Sequence, residues 1–222
     1  KKKYFLNNYH GTKILTELCN KYKVNKFVFA SSCSVYGSSK KKITENLKLK
    51  PFSNYAKSKK KSEEIIIKNF SKNNNKYIIL RYFNIVGANL GEKNGELSNN
   101  DHVIKNFSRE FHKNKPIFKI YGDSYKTQSG TCVRDYLHIT DLDYIHYKVL
   151  KFIESKKRKN LIINCGTSIG YSIYTLYKKF SKKLYNSKLL IYKKRPGDIA
   201  IAVANNRKLR NIVGKNYKFK NI

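Results

Sequence analysis

Tyr55 and Lys59 lie four residues apart in a stretch with helical periodicity, so their side chains share one face of the predicted helix. An ammonium group close to a phenol favours the phenolate and lowers the pKa of the tyrosine from its ordinary value of about 10. Such a tyrosine can take a proton from a substrate hydroxyl at neutral pH. Ser32 ends a predicted buried strand, at the edge where open parallel sheets place ligands. Ser32, Tyr55 and Lys59 are therefore candidate catalytic residues.

The spacing of Tyr55 and Lys59 alone has little specificity. With 18 Tyr and 41 Lys in the chain, about three Tyr-x-x-x-Lys matches are expected by chance, and seven occur, starting at residues 9, 22, 36, 55, 144, 147 and 174. The context distinguishes Tyr55, because it lies in "SNYAKSK" at the start of a helix and follows the strand that ends in "SSCSVYG". The alternative for this serine-rich strand end is a plain turn from strand to loop.

The elements that would position these side chains alternate between helix and strand. The segments 26–32 and 76–87 are apolar on both faces and are joined by a predicted helix, a pattern typical of parallel strands with a right-handed crossover. The polar segment after Gly87 predicts a long loop, a feature that is often functional. Helices are predicted over about 4–22, 55–70, 101–113, 140–156 and 171–185, and strands over 26–32, 76–87, 117–122, 132–138, 161–166 and 188–194.

The formal net charge of +34 first suggests a nucleic-acid-binding protein. However, 41 of the 48 basic residues are Lys and only seven are Arg, the residue on which base and phosphate recognition depends most. Asn is also abundant, at 25 residues. Lys and Asn that rise together along a whole chain favour mutational bias, so no nucleic-acid partner is expected. A basic nucleic-acid-binding protein remains the alternative from another class.

The cysteines form no C-x-x-C pair, and with the five His they show no metal-ligand spacing. We therefore expect buried, reduced cysteines and no metal. No apolar run approaches the roughly 18 residues of a membrane span, and no signal peptide is visible. These observations predict a cytoplasmic protein that does not bind membranes.

The segments "NNYHGT", "FVFASSCSVYG", "SNYAKSK", "LRYFNIVGA", "IYGDSYKTQSGTCVRDYLHITDL" and "KRPGD" occur in an order and spacing that resemble the UDP-glucose 4-epimerases, within the extended short-chain dehydrogenase/reductase family. This resemblance implies an α/β fold with part of a Rossmann-like, doubly wound parallel sheet and a smaller mixed α/β substrate domain. Residues 1–90 would be the C-terminal part of the NAD-binding domain. Residues 91–222 would mainly bind a UDP-sugar, with about 130–165 returning to the first domain.

The resemblance also implies roles for individual residues, with NAD as the cofactor and a UDP-sugar as the substrate. Ser32, Tyr55 and Lys59 match the catalytic group. The residues that match cofactor-contacting positions are Asn7, Ser32, Tyr55, Lys59 and Phe83. The residues that match substrate-contacting positions are Asn84, His102, Val103, Lys119, Ile120, Tyr121, Arg134, Arg195 and Asp198. Bidentate arginines suit a pyrophosphate in their own right, although an ordinary surface ion pair is the alternative for them.

The sequence departs from the family pattern in two places. Ile85 stands where a Pro usually follows "RYFN". The Gly-rich turn that holds the pyrophosphate of NAD at a helix N-terminus is also absent. We expect that turn upstream of Lys1, in which case the chain is an N-terminally truncated fragment that is inactive and unable to hold NAD tightly by itself.

The implied reaction is NAD-dependent inversion at carbon 4 of UDP-glucose and UDP-galactose through a 4-keto intermediate. A dehydratase is disfavoured, because Cys33 and Ser34 supply no carboxylate for the elimination. A UDP-GlcNAc or UDP-glucuronate 4-epimerase, or a UDP-glucuronate decarboxylase, stays open. Ala202 aligns near a position that limits the bulk of the sugar, and its small side chain could admit N-acetylated sugars. The resemblance further implies a homodimer formed through the helices at 4–22 and 55–70.

Overall fold

The computed structural model describes residues 2–71, 75–88, 102–155 and 160–214. The helices are α1 (Lys2–Tyr4), α2 (Gly11–Lys21), α3 (Asn54–Phe70), α4 (Val103–Phe111), α5 (Ile139–Glu154), α6 (Ile173–Ser181) and α7 (Arg207–Val213), with a π-helical stretch over Phe5–His10 and a 3-10 turn over Cys33–Val35. The strands are β1 (Lys26–Ser32), β2 (Lys76–Tyr82), β3 (Asn84–Val86), β4 (Ile117–Tyr121), β5 (Val133–His138), β6 (Leu161–Cys165), β7 (Gly170–Ser172), β8 (Lys188–Tyr192) and β9 (Ile201–Ala202).

The main sheet is parallel and has the order β1-β2-β6. Because side chains alternate along a strand, β2 faces helices on both sides. Its Tyr77 and Ile79 join a cluster with Ile66 and Phe70 of α3. The side chains between them, Ile78 and Leu80, join a cluster with residues of α5 and α7. Helices on both faces of a parallel sheet confirm the predicted α/β, doubly wound, Rossmann-like class.

A second sheet begins where the first one ends. Phe83 interrupts the predicted strand 76–87, so β2 stays in the main sheet while β3 pairs with β5. β5 lies between β3 and β7, and the two-residue strand β9 also pairs with it. β4 and β8 form a separate parallel pair whose Phe118 packs on Phe107 of α4 and Leu176 of α6. This part is the smaller mixed α/β region that the resemblance implied.

Several boundaries differ from those predicted. The helix expected over 4–22 contains a π-helical stretch, and the one expected over 171–185 begins only after the short strand β7. Most of the predicted polar loop after Gly87 lies outside the described residues. β6 pairs with β2, and it belongs to the segment expected to return to the first domain. The division at residue 90 itself stays a prediction. In the described ranges, no helix is long and apolar enough to cross a membrane.

Candidate active site

A cavity of about 1440 Å³ opens at the carboxyl ends of β1 and β2 and extends between the second sheet and the β4–β8 pair. Most of the predicted site residues line it, although they come from elements far apart in the sequence. They are Ser32, Tyr55, Phe83, Asn84, His102, Val103, Lys119, Tyr121, Arg134, Arg195 and Asp198, and Ala202 lines the cavity with them. The side chains of the other three, Asn7, Lys59 and Ile120, are not part of the wall.

Ser32 ends β1 with an extended backbone and caps the 3-10 turn that follows. Its Oγ accepts hydrogen bonds from the backbone N–H of Ser34, at 3.2 Å, and from the Ser34 hydroxyl, at 3.0 Å. Ser32 therefore takes part in a turn from strand to loop, as the alternative proposed. This does not exclude the predicted catalytic role, because the capped turn also fixes the Ser32 hydroxyl at the cavity wall.

Tyr55 lies in the first turn of α3. The helix starts here because the hydroxyl of Ser53 accepts a hydrogen bond from the backbone N–H of Ala56, at 3.1 Å. Burial raises the pKa of Tyr55, while a side-chain hydrogen bond with Ser32 acts in the opposite direction. The two hydroxyls therefore meet in the cavity, and Tyr4 packs edge-on against the Tyr55 ring with a centroid distance of 5.7 Å.

The expected effect of Lys59 on Tyr55 is wrong for this structure. The ammonium group lies 5.9 Å from the centre of the Tyr55 ring and donates a 2.8 Å hydrogen bond to the carbonyl of Ala30. It also lies 5.0 Å from the ring centre of Phe29. Burial lowers the pKa of Lys59, and the carboxylate of Glu63 acts against that shift. Since burial dominates at the phenol and the ammonium group is held at the backbone of β1, the pKa of Tyr55 is raised instead of lowered.

A buried ionic network that the sequence reasoning missed lies directly behind this group. Glu63, one turn after Lys59 on α3, accepts hydrogen bonds from Arg81 Nε at 2.9 Å and Nη2 at 2.5 Å. Its Oε1 also accepts from the hydroxyl of Ser31, at 2.5 Å. These three residues are each 2% exposed. The network links α3, β1 and β2 beside the strand end that carries Ser32, and a carboxylate four residues after Lys59 was the available signal for it.

The arginine of "GTCVRDYLH" holds a neighbouring segment of the chain. Arg134 Nη1 donates to the carbonyls of Val133 at 3.1 Å and Ile199 at 2.7 Å, and Nη2 lies 3.7 Å from the carboxylate of Asp198. The Arg134 side chain is 14% exposed and that of Asp198 is 34% exposed. The pair is thus not an ordinary surface ion pair, because it joins β5 to the segment that leads into β9 at the cavity wall.

Aromatic stacking organises the far end of the cavity. The rings of Tyr121 and Tyr192, at the ends of β4 and β8, stack with centroids 5.3 Å apart. The guanidinium carbon of Arg195 lies 3.8 Å from the centre of the Tyr121 ring, a distance typical of a cation–π contact. Lys119 lies 6.0 Å from the ring centre of Tyr192. This end of the cavity therefore combines flat rings with positive charge.

Asp135 is a second residue that the sequence reasoning missed. Its carboxylate is fully buried and accepts hydrogen bonds from the backbone N–H groups of Thr167, Ser168 and Ala204, at 2.8, 2.9 and 3.1 Å, and from the Thr167 hydroxyl at 2.7 Å. Its own carbonyl accepts from Asn84 Nδ2, at 3.2 Å. Asp135 thereby fixes the loop after β6 and the end of β9 against the second sheet.

Besides Lys59, two predicted contact residues, Asn7 and Ile120, lie outside the cavity wall. Asn7 is exposed in the π-helical stretch, where its neighbour Asn8 donates a 2.9 Å hydrogen bond to the hydroxyl of Ser58. Ile120 is 2% exposed and packs in the cluster of Phe107. Its side chain therefore belongs to the core.

In the part of the chain that the structure describes, no group of three or more His, Cys, Asp or Glu side chains could hold a metal ion.

The profile of the NAD dependent epimerase/dehydratase family matches residues 1–166, and the chain belongs to this family. Within it, the chain is similar to UDP-sugar 4-epimerases. It is 34% identical over 224 residues to the UDP-glucose 4-epimerase of Lactobacillus helveticus, a match that covers 99% of this chain and 67% of the relative.

Two solved structures are also similar to the chain. The UDP-glucose 4-epimerase of Bifidobacterium longum in complex with NAD+ and UDP is 30% identical, with a TM-score of 0.86 over 98% of this chain and 67% of that one. The UDP-Glc/GlcNAc 4-epimerase of Campylobacter jejuni is 29% identical, with a TM-score of 0.76 over 99% of this chain and 67% of that one. The chain spans about half to two thirds of the length of the curated relatives it matches.

Proposed function

We propose that the protein carrying this chain is an NAD-dependent UDP-sugar 4-epimerase that interconverts UDP-glucose and UDP-galactose. The observation that carries the proposal is one cavity that is lined by the side chains of Ser32 and Tyr55, by the cations Arg134 and Arg195, and by the flat ring of Tyr121. The two hydroxyls suit a hydroxyl-bearing sugar, and the arginines with the tyrosine ring suit an anionic nucleotide. The family membership and the UDP-sugar 4-epimerases similar to the chain support the same reading.

In the proposed mechanism, Tyr55 removes the proton from the 4-hydroxyl of the sugar and later returns it, while Ser32 hydrogen-bonds the same oxygen. Asn84, Arg134 and Arg195 hold the UDP part while the sugar turns about its link to UDP. For this role the pKa of Tyr55 must be lower than in the present structure, where burial raises it. Lys59, whose ammonium group lies 5.9 Å from the centre of the Tyr55 ring, would assist if that group moved from the carbonyl of Ala30 towards the phenol.

The residues present fit the nicotinamide end of the cofactor. Ser32, Tyr55 and the buried ring of Phe83 line the cavity together, and Lys59 is within reach of them. When bound, NAD would supply the hydride acceptor and donor that inversion at carbon 4 requires. A polar strand end beside an apolar ring suits a carboxamide and a ribose. The pyrophosphate end is different, because the sequence has no Gly-rich turn for it, so we propose that NAD is held only in part by this chain.

Other UDP-sugars compete for the same proposal. Ala202 is 2% exposed, pairs in register with Arg134 and lines the cavity. A methyl group at this position leaves space beside the proposed sugar site. The Campylobacter jejuni relative is named for both UDP-Glc and UDP-GlcNAc. We therefore propose UDP-GlcNAc as the second substrate, and UDP-glucuronate as a further alternative.

The test of the proposed function is epimerisation by the natural full-length protein, with UDP-galactose, UDP-GlcNAc and UDP-glucuronate as substrates. Tyr55→Phe removes the proposed base and should lower kcat by at least about a hundredfold. The matched control is Tyr174→Phe, because Tyr174 and Lys178 repeat the motif on α6 outside the cavity wall. Unchanged turnover in Tyr55→Phe would refute the assignment, and no turnover of any of the three by the unmodified protein would refute the proposed function.

We also propose that the protein is a homodimer. The π-helical stretch and α2 expose Leu6, Ile14, Leu15 and Leu18, each between 42% and 60% accessible, and α2 packs along α3. A second copy would cover these side chains. Sedimentation equilibrium of the natural protein measures its mass, and a monomer at micromolar concentration would contradict the proposal.

A further inference from the structure

The segment that carries Arg195 and Asp198 folds into a tight turn. The backbone N–H of Asp198 donates a 3.2 Å hydrogen bond to the carbonyl of Arg195. Pro196 and Gly197 stand between them, and the φ of Gly197 is +83°. Proline in the second position and a glycine of positive φ in the third are typical of a type II turn. The turn therefore fixes the spacing of its two ends, which are both proposed to contact the UDP-sugar.

The ring of Phe52, from a distant part of the chain, packs against this turn. A Cβ on Gly197 would lie 2.5 Å from Cδ1 of Phe52 and 2.7 Å from Cε1. Two carbon atoms in ordinary contact are about 3.5–4.0 Å apart, so only the bare backbone of a glycine leaves space for the ring. Phe52 is 67% exposed, and it lines the cavity together with Gly197. The ring is therefore covered in part, at the cavity wall and against the turn.

The segment that carries Phe52 is held on its other side. Pro51 restricts the backbone directly before the ring, and the hydroxyl of Ser53 directly after it caps the N-terminus of α3. Tyr55 follows in the first turn of the same helix. The ring thus connects the helix start that carries the proposed base to the turn that carries two proposed substrate contacts.

We propose that Phe52 is a positioning residue, whose ring holds the turn at 195–198 against the start of α3 and so fixes Arg195 and Asp198 before the UDP-sugar binds. The inference rests on the proposed function, and it adds a residue that acts through the turn without touching the substrate. Loss of the ring should therefore weaken nucleotide binding. Proton transfer at Tyr55 should continue at its usual rate, because the cap of α3 remains.

The first measurement is hydrogen–deuterium exchange of the natural full-length protein without ligand, for the unmodified protein, Phe52→Ala and Tyr22→Ala. Tyr22 is the matched control, because it is an aromatic residue of nearly the same exposure, 68%, and lies outside the cavity wall. About a third of the Phe52 side chain is covered, so its loss should speed exchange in peptides across 195–200 by about two- to fivefold. Tyr22→Ala should leave these peptides unchanged. Unchanged exchange in Phe52→Ala would show that the turn stands without the ring, and the inference would be wrong.

The second measurement is UDP binding and steady-state epimerisation by the same proteins. Phe52→Ala should raise the Kd of UDP and the KM of the UDP-sugar by about two- to fivefold, with kcat unchanged. Phe52→Leu keeps an apolar side chain against the turn and should recover part of the loss. A lower unfolding temperature with the Kd of UDP unchanged would show a purely structural contact and overturn the inference. A fall in kcat alone would place the effect on the catalytic helix and contradict it as well.

Gly197→Ala gives an independent check of the contact. In the unmodified protein the added methyl group meets the Phe52 ring and also strains the backbone, whereas in Phe52→Ala only the backbone strain remains. Gly197→Ala should therefore weaken UDP binding less in the Phe52→Ala background, and equal losses in both backgrounds would refute the contact. If the unmodified protein binds no UDP, the proposed function fails, and the inference fails with it. If it binds UDP and Phe52→Ala binds UDP equally well, the inference alone fails.

Discussion

Breaking the buried pair of Glu63 and Arg81 should destabilise the fold strongly, and removing both charges together should restore much of the loss. Glu63→Leu leaves the guanidinium of Arg81, 2% exposed, without its carboxylate. An uncompensated buried charge of this kind costs about 3–5 kcal/mol. The total stability of a domain is only about 5–15 kcal/mol, so the single variant should unfold at a much lower urea concentration.

The double variant Glu63→Leu with Arg81→Met replaces the pair by apolar side chains of similar size. Substitutions of this type in other buried pairs are often neutral or stabilising. Here the hydroxyl of Ser31 also loses its acceptor, which costs about 1–3 kcal/mol. We therefore expect the double variant to be more stable than Glu63→Leu, although less stable than the unmodified chain.

The assay is urea unfolding followed by far-ultraviolet circular dichroism, with the free energy extrapolated to water. The next residue on α3 gives a matched control, because Glu64 is 53% exposed and only 3.6 Å from Lys60. Glu64→Leu removes a surface pair and should change the free energy of unfolding by no more than about 1 kcal/mol. A double variant that is no more stable than Glu63→Leu would refute the argument, because the two charges would then not be coupled.

Three further predictions follow from the structure. Burial lowers the pKa of His146, whose ring is hydrogen-bonded to the Tyr82 hydroxyl. Since the unfolded chain then binds the proton more tightly, stability should fall as the pH drops through about 6.5. His146→Gln should remove this fall when the unfolding temperature is measured against pH. A Cβ on Gly130 would lie 2.0 Å from a backbone oxygen, whereas one on Gly214 meets nothing within 4 Å, and both have positive φ; Gly130→Ala should therefore lower the unfolding temperature more than Gly214→Ala, and equal shifts would show that the turn relaxes. Ala202→Tyr should reduce kcat/KM for UDP-GlcNAc more than tenfold and leave kcat/KM for UDP-galactose within about threefold, as measured by epimerisation of each substrate. Equal losses for the two substrates would show that Ala202 does not limit the bulk of the sugar.

Local signals explain why part of the site could be predicted from the sequence. The apolar run of β1 and the cap at Ser53 place Ser32 and Tyr55 on known elements, and parallel strands bring such residues to one edge. The placement of both residues in one cavity agrees with this expectation, although their catalytic roles stay a prediction. The pKa of Tyr55 could not be predicted, because desolvation depends on neighbours such as Tyr4 that only the folded chain brings close.

The missed features depend on contacts between distant residues. The bonds of Asp135 reach residues 32 to 69 positions away, and no periodicity within "VRDYLH" distinguishes it from a surface carboxylate. The strand β9 has two residues, too few for a hydrophobic pattern. The break at Phe83 was missed for another reason, since residues 76–87 resemble one buried strand in the sequence although β2 and β3 join different sheets.

The arrangement of the cavity suits a reaction in which one part of the substrate turns while another stays fixed. The residues proposed to anchor the nucleotide belong to segments that are bonded to one another, because Arg134 donates to the carbonyl of Ile199 and Asp135 accepts from the backbone N–H of Ala204, just after β9. The proposed catalytic residues Ser32 and Tyr55 lie at the end of β1 and in the first turn of α3, and the small side chain of Ala202 lines the same cavity. A substitution at Asn84 or Arg134 should therefore raise KM for the nucleotide sugar, whereas one at Tyr55 should lower kcat. If a substitution at Asn84 or Arg134 lowered kcat alone, or one at Tyr55 raised KM alone, nucleotide binding and catalysis would not be divided between these residues.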